Sequence, residues 1–187
     1  MTRIVKLFIL TLVIANALTT VGDQPRAAAQ GKNLPPSGKF TGVPRDIDYI
    51  KNAGWTQVIV TSRADDLISQ TKNDRIVSVL LVALSLKREV VVDYADDKNN
   101  PKKLTSVSLT VTPKEEPGQV LALSFDEKDN NCRATIFDGK KGIQVWTKSA
   151  VMQGILETAV RQSIPIQELM LDDKMEITRG KVNVEIK

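Results

Sequence analysis

The chain has 187 residues, 42% hydrophobic and 26% charged, with 26 Lys+Arg against 22 Asp+Glu: the balance of a globular protein of one or two domains. Histidine is absent and Cys132 is the one cysteine, which excludes Ser-His-Asp and Cys-His catalysis, a His/Cys zinc site and an intrachain disulfide. Aromatics, at 4%, are too few for a stacking-rich nucleic-acid groove.

The N-terminus reads as an export signal. Arg3 and Lys6 precede an apolar run over residues 7–18 (LFILTLVIANAL). Small residues follow, and both Ala15-Asn16-Ala17 and Ala27-Ala28-Ala29 fit the A-x-A cleavage pattern. A spanning helix needs roughly 20 apolar residues, so residues 1–29 are expected to be a signal peptide cleaved after Ala29. No cysteine stands behind the run for lipidation, and no second stretch is long enough to span. The mature protein is expected to be soluble and exported, periplasmic or secreted. Cleavage leaves 23 basic and 21 acidic residues, too even a balance for strong attraction to nucleic acid.

Residues 30–39, polar and holding Pro35-Pro36, are expected to form an extended linker before a first domain over 40–113. Residues 55–61 (WTQVIVT) alternate and predict a strand; Leu67 and Ile68 predict a second, short one. Residues 74–87 (DRIVSVLLVALSLK) are apolar nearly all round. Their length favours a buried helix over a strand, with Asn73 or Asp74 as N-cap. Residues 89–94 (EVVVDY) and 104–111 (LTSVSLTV) read as strands, and 113–118 (PKEEPG) as a hinge.

The second domain, 114–187, repeats that order. Strands are predicted over 120–125, 133–138 and 142–147, then a helix over 149–162 capped by Ser149, then strands over 166–171 and 176–186. A slide of about 75 positions lays Ile76 on Val151, Leu80 on Ile155 and Leu81 on Leu156. It lays Leu104 near Arg179, or near Ile177 with a two-residue gap. Element order and apolar spacing point to a duplicated unit.

Three strands, a helix and two strands is the order of an OB barrel. The expected fold class is therefore mainly β with one helix per unit, as two tandem OB-fold-like five-stranded barrels. Within the first unit, Ile76, Leu80 and Leu81 lead to Val90, Val92 and Tyr94, then to Thr105, Ser106, Val107 and Leu109. This stretch resembles the B subunits of bacterial AB5 toxins, where a hydrophobic helix precedes a V-x-V-x-Y-like strand and a T-S-V-x-L-like strand. The resemblance implies a non-enzymatic protein that binds a glycan, or an exported or host protein, through one OB face. It also implies a separate toxin-like subunit and oligomer formation. The family staples its barrel with a disulfide, which this chain cannot form, and no glycan-binding residue transfers.

The residues themselves single out Trp146. An aromatic face can stack on sugar C–H groups, while Gln144, Lys148 and Asp138 nearby in sequence supply polar groups for hydroxyls. Core packing is the competing role for this ring, and Trp55, opening an apolar strand, is expected in the core. Asp65-Asp66, Asp96-Asp97 and Asp172-Asp173 fall at strand ends, where turn and surface roles outweigh acid–base chemistry. Residues 126–131 (DEKDNN) are as acidic as a calcium loop but lack its glycine and glutamate spacing. Lys87-Arg88, Lys102-Lys103 and Lys140-Lys141 read as solvated charge. Cys132 is expected either buried or as a lone thiol open to an intermolecular disulfide. No catalytic residue, metal, cofactor or nucleic-acid partner is expected; a carboxylate-only glycosidase would need two carboxyls roughly 5–9 Å apart in a groove. The alternative to glycan recognition is a periplasmic protein–protein adaptor or envelope assembly factor.

Overall fold

The computed structural model describes residues 34–50, 54–97, 101–111 and 116–184. The expected signal peptide and the start of the expected linker lie outside the described residues. Two helices of 13 residues each organise the rest, α1 (Asp74–Leu86) and α2 (Ala150–Gln162). Asn73 caps α1 by accepting the Arg75 N–H, and Ser149 caps α2 by accepting the Met152 N–H. Each cap donates its own N–H to a threonine two positions back, Asn73 to Thr71 and Ser149 to Thr147, both at 3.1 Å. Each helix ends in a left-handed residue, Lys87 or Ser163, whose N–H returns to the last turn.

The protein is mainly β. In the first half, β1 (Ser37–Ile50), β2 (Trp55–Thr61) and β3 (Asp66–Thr71) precede α1, and β4 (Val90–Ala95) and β5 (Lys102–Thr110) follow it. In the second, β6 (Val120–Asp126), β7 (Asn131–Phe137) and β8 (Gly142–Thr147) precede α2, and β9 (Gln167–Leu171) and β10 (Ile177–Lys181) follow. Eight strands form one sheet in the order β3-β2-β1-β4-β5-β6-β7-β8, and β9–β10 form a separate hairpin. Neighbours in the large sheet are antiparallel; β3 also meets β5 in parallel, at Ser69↔Lys102 and Gln70↔Lys103.

The halves repeat at a spacing of 76 positions, as from Thr71 to Thr147. Pro44↔Val60 recurs as Val120↔Ile136, Asp48↔Gln57 as Ser124↔Arg133, and Gln57↔Gln70 as Arg133↔Trp146. Even the bulge recurs: β1 slips between Pro44 and Asp46, and β6 between Val120 and Ala122. This corrects the slide of about 75 read from sequence. That slide lays Leu81, 45% exposed, on fully buried Leu156, whereas the true spacing matches buried Leu80 with Leu156 and buried Ala83 with Ala159. After the shorter β9–β10 turn, the buried counterpart of Leu104 is Ile177.

The halves part company at closure. β1 is 14 residues long; residues 37–42 pair with β4 and residues 43–50 with β2, the bulge falling within the second segment. β6 has seven residues and both its edges are taken, by β5 and β7. The sequence counterpart of residues 37–42 is 113–118, whose Pro113 and Pro117 have no N–H to give to a ladder. Among the described residues the β1–β4 ladder is represented there by one bond, from Ile166 N–H to the Gly118 carbonyl at 2.8 Å. The second half thus keeps the element order and hairpin registers of the expected unit but, among the described residues, not its closing ladder. Gly42 and Gly118 stand 76 apart where chains cross: a Cβ on Gly42 would strike the Thr61 carbonyl, and one on Gly118 the Ile166 carbonyl.

Strand residues facing the helices form one continuous core with them, including Val58, Val92, Leu109, Leu123 and Ile136. In β2 the inward set is Thr56, Val58 and Val60, which turns Trp55 to the other face, half-buried and outside the core. The expected core role of Trp55 is therefore corrected. At the helix–helix contact, Arg75 Nε donates to Gln153 Oε1 at 2.6 Å, and Gln153 Nε2 donates to Glu157 Oε1 at 2.7 Å. Ser78 donates to the other Glu157 oxygen. Arg75 also reaches the carbonyls of Asn130 and Lys148, both at 3.2 Å, with its guanidinium 4.6 Å from the Phe125 ring centroid.

Candidate binding groove

On the sheet face away from the helices, side chains line up in cross-strand rows. One row runs Ser108, Ser124, Arg133, Trp146; the next runs Thr110, Ala122, Thr135, Gln144. Small side chains make a floor. Trp146, Arg133 and the Lys174–Met175 turn rise from it, leaving an open groove of about 470 Å³, within the size range of small-molecule sites. A second hollow of about 390 Å³ adjoins it across Ser108 and Thr110, with Lys87 and Arg88 on its rim.

Trp146 is held in place twice. Its backbone N–H donates to the Met175 carbonyl at 3.1 Å, and its indole Nε1 donates to the Lys174 carbonyl at 2.9 Å. Lys148 Nζ lies 6.0 Å from the ring centroid, at the limit of a cation–π contact. Of the residues expected from sequence, the structure brings Gln144 and Trp146 together in the groove and sets Lys148 beside the ring.

Asp138 is not brought there. It sits in the β7–β8 turn, at the far end of the hairpin from Trp146. Its Oδ1 accepts the Lys141 and Lys140 N–H groups, both at 2.8 Å, and those two bonds hold its pKa below the ordinary carboxylate value. Ser62 does the same work in the first half, its Oγ accepting the Ala64 and Asp65 N–H groups. Asp138 is a turn-former.

Arg133 and Lys174 were not among the residues singled out from sequence. A two-stranded register over 131–147 places Arg133 opposite Trp146; no local signal places Lys174. Arg133 is ion-paired with Asp129 at 2.7 Å, and Asp126 accepts the Lys128 N–H, so both aspartates of residues 126–131 are engaged, one by a β7 side chain and one by the turn. Among the described residues no group of three His, Cys, Asp or Glu side chains could hold a metal ion.

The three aspartate pairs lie at three separate strand ends. Asp66 is 4.0 Å from Arg45, Asp96 pairs with Lys102 at 2.5 Å, and Asp172 accepts the Lys174 and Glu176 N–H groups. Cys132 is fully buried, and desolvation pushes its pKa up to about 12; Arg75 pulls it down and Glu157 pushes it up, both by less. Of the two sequence expectations for this thiol, the structure selects burial.

Comparison with protein families, with curated proteins and with solved structures finds no match to the chain. Among the described residues no helix is long and apolar enough to cross a membrane.

Proposed function

We propose that this is an exported, non-enzymatic binding protein that takes a saccharide in the Trp146 groove, in the manner suggested by its resemblance to toxin B subunits. The observation that carries the reading is the clamped Trp146 ring, standing beside Gln144, Arg133 and Lys174 over a floor of Ser, Ala and Thr. A saccharide needs an aromatic wall for its C–H face and fixed polar groups for its hydroxyls, and the groove supplies both. The basic side chains on the rim favour a sugar that carries an acidic group. Export rests on the pattern of residues 1–29. An OB-type reading of the first half is supported by its pairings, which run β1–β2–β3–β5–β4 and return to β1.

The test is a broad glycan array at physiological salt, with denatured protein as control, repeated with Trp146→Gln. Gln70 occupies the place of Trp146 in the first half, and its Nε2 donates to Asp97 at 3.1 Å. Glutamine at 146 therefore keeps a donor for the β9–β10 turn while removing the ring. The expected result is a selective acidic-sugar signal that falls about 10- to 100-fold in a folded variant, matching ~1.5–3 kcal/mol for an aromatic contact. Binding unchanged in Trp146→Gln refutes the groove; silence across the array moves the reading to an envelope protein–protein adaptor.

A further inference from the structure

The joint between the halves is itself a strand pairing. β5 lies antiparallel to β6, with Ser108 opposite Ser124 and Thr110 opposite Ala122. Because the halves repeat, each half carries a version of both sides of this joint, and one side of each half is left over. On β1 the counterparts of Ala122, Ser124 and Phe125 are Asp46, Asp48 and Tyr49. Among the described residues this part of β1 is paired with β2 alone, leaving its other edge open. On β10 the counterpart of Ser108 is Lys181, which faces Gln167 as Ser108 faces Val91. Beyond Glu176, which meets Trp146, the outer edge of β10 pairs with no strand among the described residues.

The left-over edges differ from the joint in one respect. On the outer face the internal joint sets Ser against Ser and Thr against Ala, whereas one free edge carries Asp46 and Asp48 and the other carries Arg179 and Lys181. Asp46 and Asp48 are exposed and have no ion pair among the described residues. Arg179 and Lys181 share one carboxylate, that of Glu168, and their side chains are 64% and 52% exposed. Charge on an edge strand ordinarily keeps other strands away. Charges of one sign would do that between copies; here the two edges carry opposite signs and complement each other.

The helix side of the joint agrees. Phe125 is 1% exposed beneath Arg75, while its counterpart Tyr49 is 64% exposed and the counterpart of Arg75, Val151, is 76% exposed. An apolar pair thus stands open where the internal joint has a covered one.

We propose that a second copy of this chain docks head to tail, β10 of one copy lying antiparallel along residues 46–50 of the next. Transferring the β5–β6 register sets Lys181 opposite Asp48, with Arg179 and Lys181 on the diagonals to Asp48 and Asp46, within reach of long side chains. Val151 of one copy then covers Tyr49 of the other. The contact is heterologous: each copy offers a different surface, so association continues until a ring closes or a filament forms.

Sedimentation velocity of the purified protein tests this. The expected result is a species larger than monomer that grows with concentration and weakens as salt screens the charges. Asp48→Lys and Lys181→Asp should each weaken self-association about tenfold or more, since each sets like charges opposite one another. An equimolar mixture of the two variants should regain the parent's association, because each then offers the charge the other needs. Both positions are exposed, and matched circular dichroism spectra and melting temperatures establish that the variants fold. A parent that stays monomeric to about 100 μM, an association indifferent to both reversals, or a mixture that fails to recover would each overturn the proposal.

Discussion

Replacing Arg75 by alanine should cost about 3 kcal/mol of stability, because this side chain ties the two halves together. Its Nε donates to Gln153 Oε1 at 2.6 Å, and Gln153 is only 2% exposed, so truncation strands a buried acceptor. An unpaired buried acceptor costs about 1–3 kcal/mol, and losing the guanidinium over Phe125 about 1–2 more. The Nη1 bonds to the Asn130 and Lys148 carbonyls go too, which frees the β6–β7 turn and the start of α2. One term opposes: Arg75 Nη2 is buried without a partner, and its removal returns about 1 kcal/mol. Urea unfolding followed by circular dichroism and tryptophan fluorescence measures the difference. A double-mutant cycle with Gln153→Ala should give a coupling of about 1 kcal/mol or more, while Val151→Ala, at the repeat counterpart, should stay within about 0.5. A loss below about 1 kcal/mol for Arg75→Ala, or additive effects in the cycle, would refute the idea that this residue joins the halves.

Cys132 should resist thiol-specific alkylation in the folded protein at neutral pH and react only on unfolding, as follows from a buried thiol with a pKa near 12; rapid native-state labelling would contradict it. Gly118→Ala should destabilise by about 2 kcal/mol or more in urea, since φ is +87° there and the new Cβ would stand 2.5 Å from the Ile166 carbonyl; a loss under about 0.5 would mean that this crossing yields easily. The Asp138 turn bonds contribute to stability above the carboxylate's unfolded pKa, and the contribution is lost as pH falls through the lowered folded value. Asp138→Ser, borrowing the Ser62 solution, should keep the turn and saccharide binding while removing that acid dependence; loss of binding would return Asp138 to the site.

Most elements were legible because they obey one period at a time. The alternation over residues 55–61 and 142–147 is that of β2 and β8, and the cap residues Asn73 and Ser149 open the helices as their side chains predict. β1 was not legible. Its buried positions are Phe40, Gly42 and Pro44, and the bulge then shifts the parity, so that Ile47 packs on the core three residues later. A strand with Gly, Pro and a parity change looks like a loop, and its first residues were expected in the linker. The repeat was legible in outline but one position out, because a helix apolar on several sides matches itself almost equally well at 75 or 76. Half of the candidate site was readable for a similar reason. Gln144 and Trp146 share a strand face, whereas Lys174 enters the groove only through the folding of β9–β10 onto β8.

The repeat also explains why a binding groove is expected on the second half alone. The three strands before each helix share one framework, down to the hairpin registers and the bulge, so differences on their outer face reflect the side chains and not the local scaffold. Where the second half sets Ser124, Arg133, Gln144 and Trp146, the first sets Asp48, Gln57, Ile68 and Gln70. The first set is a basic, aromatic-walled surface over a small floor; the second has an acidic group and no ring. Core positions, by contrast, stay apolar at the same spacing, as Val58 and Ala134 or Leu80 and Leu156 do. Packing restricts inward residues to apolar ones of fitting size, while the outward residues of one half are free to become a site and those of the other an edge for a partner.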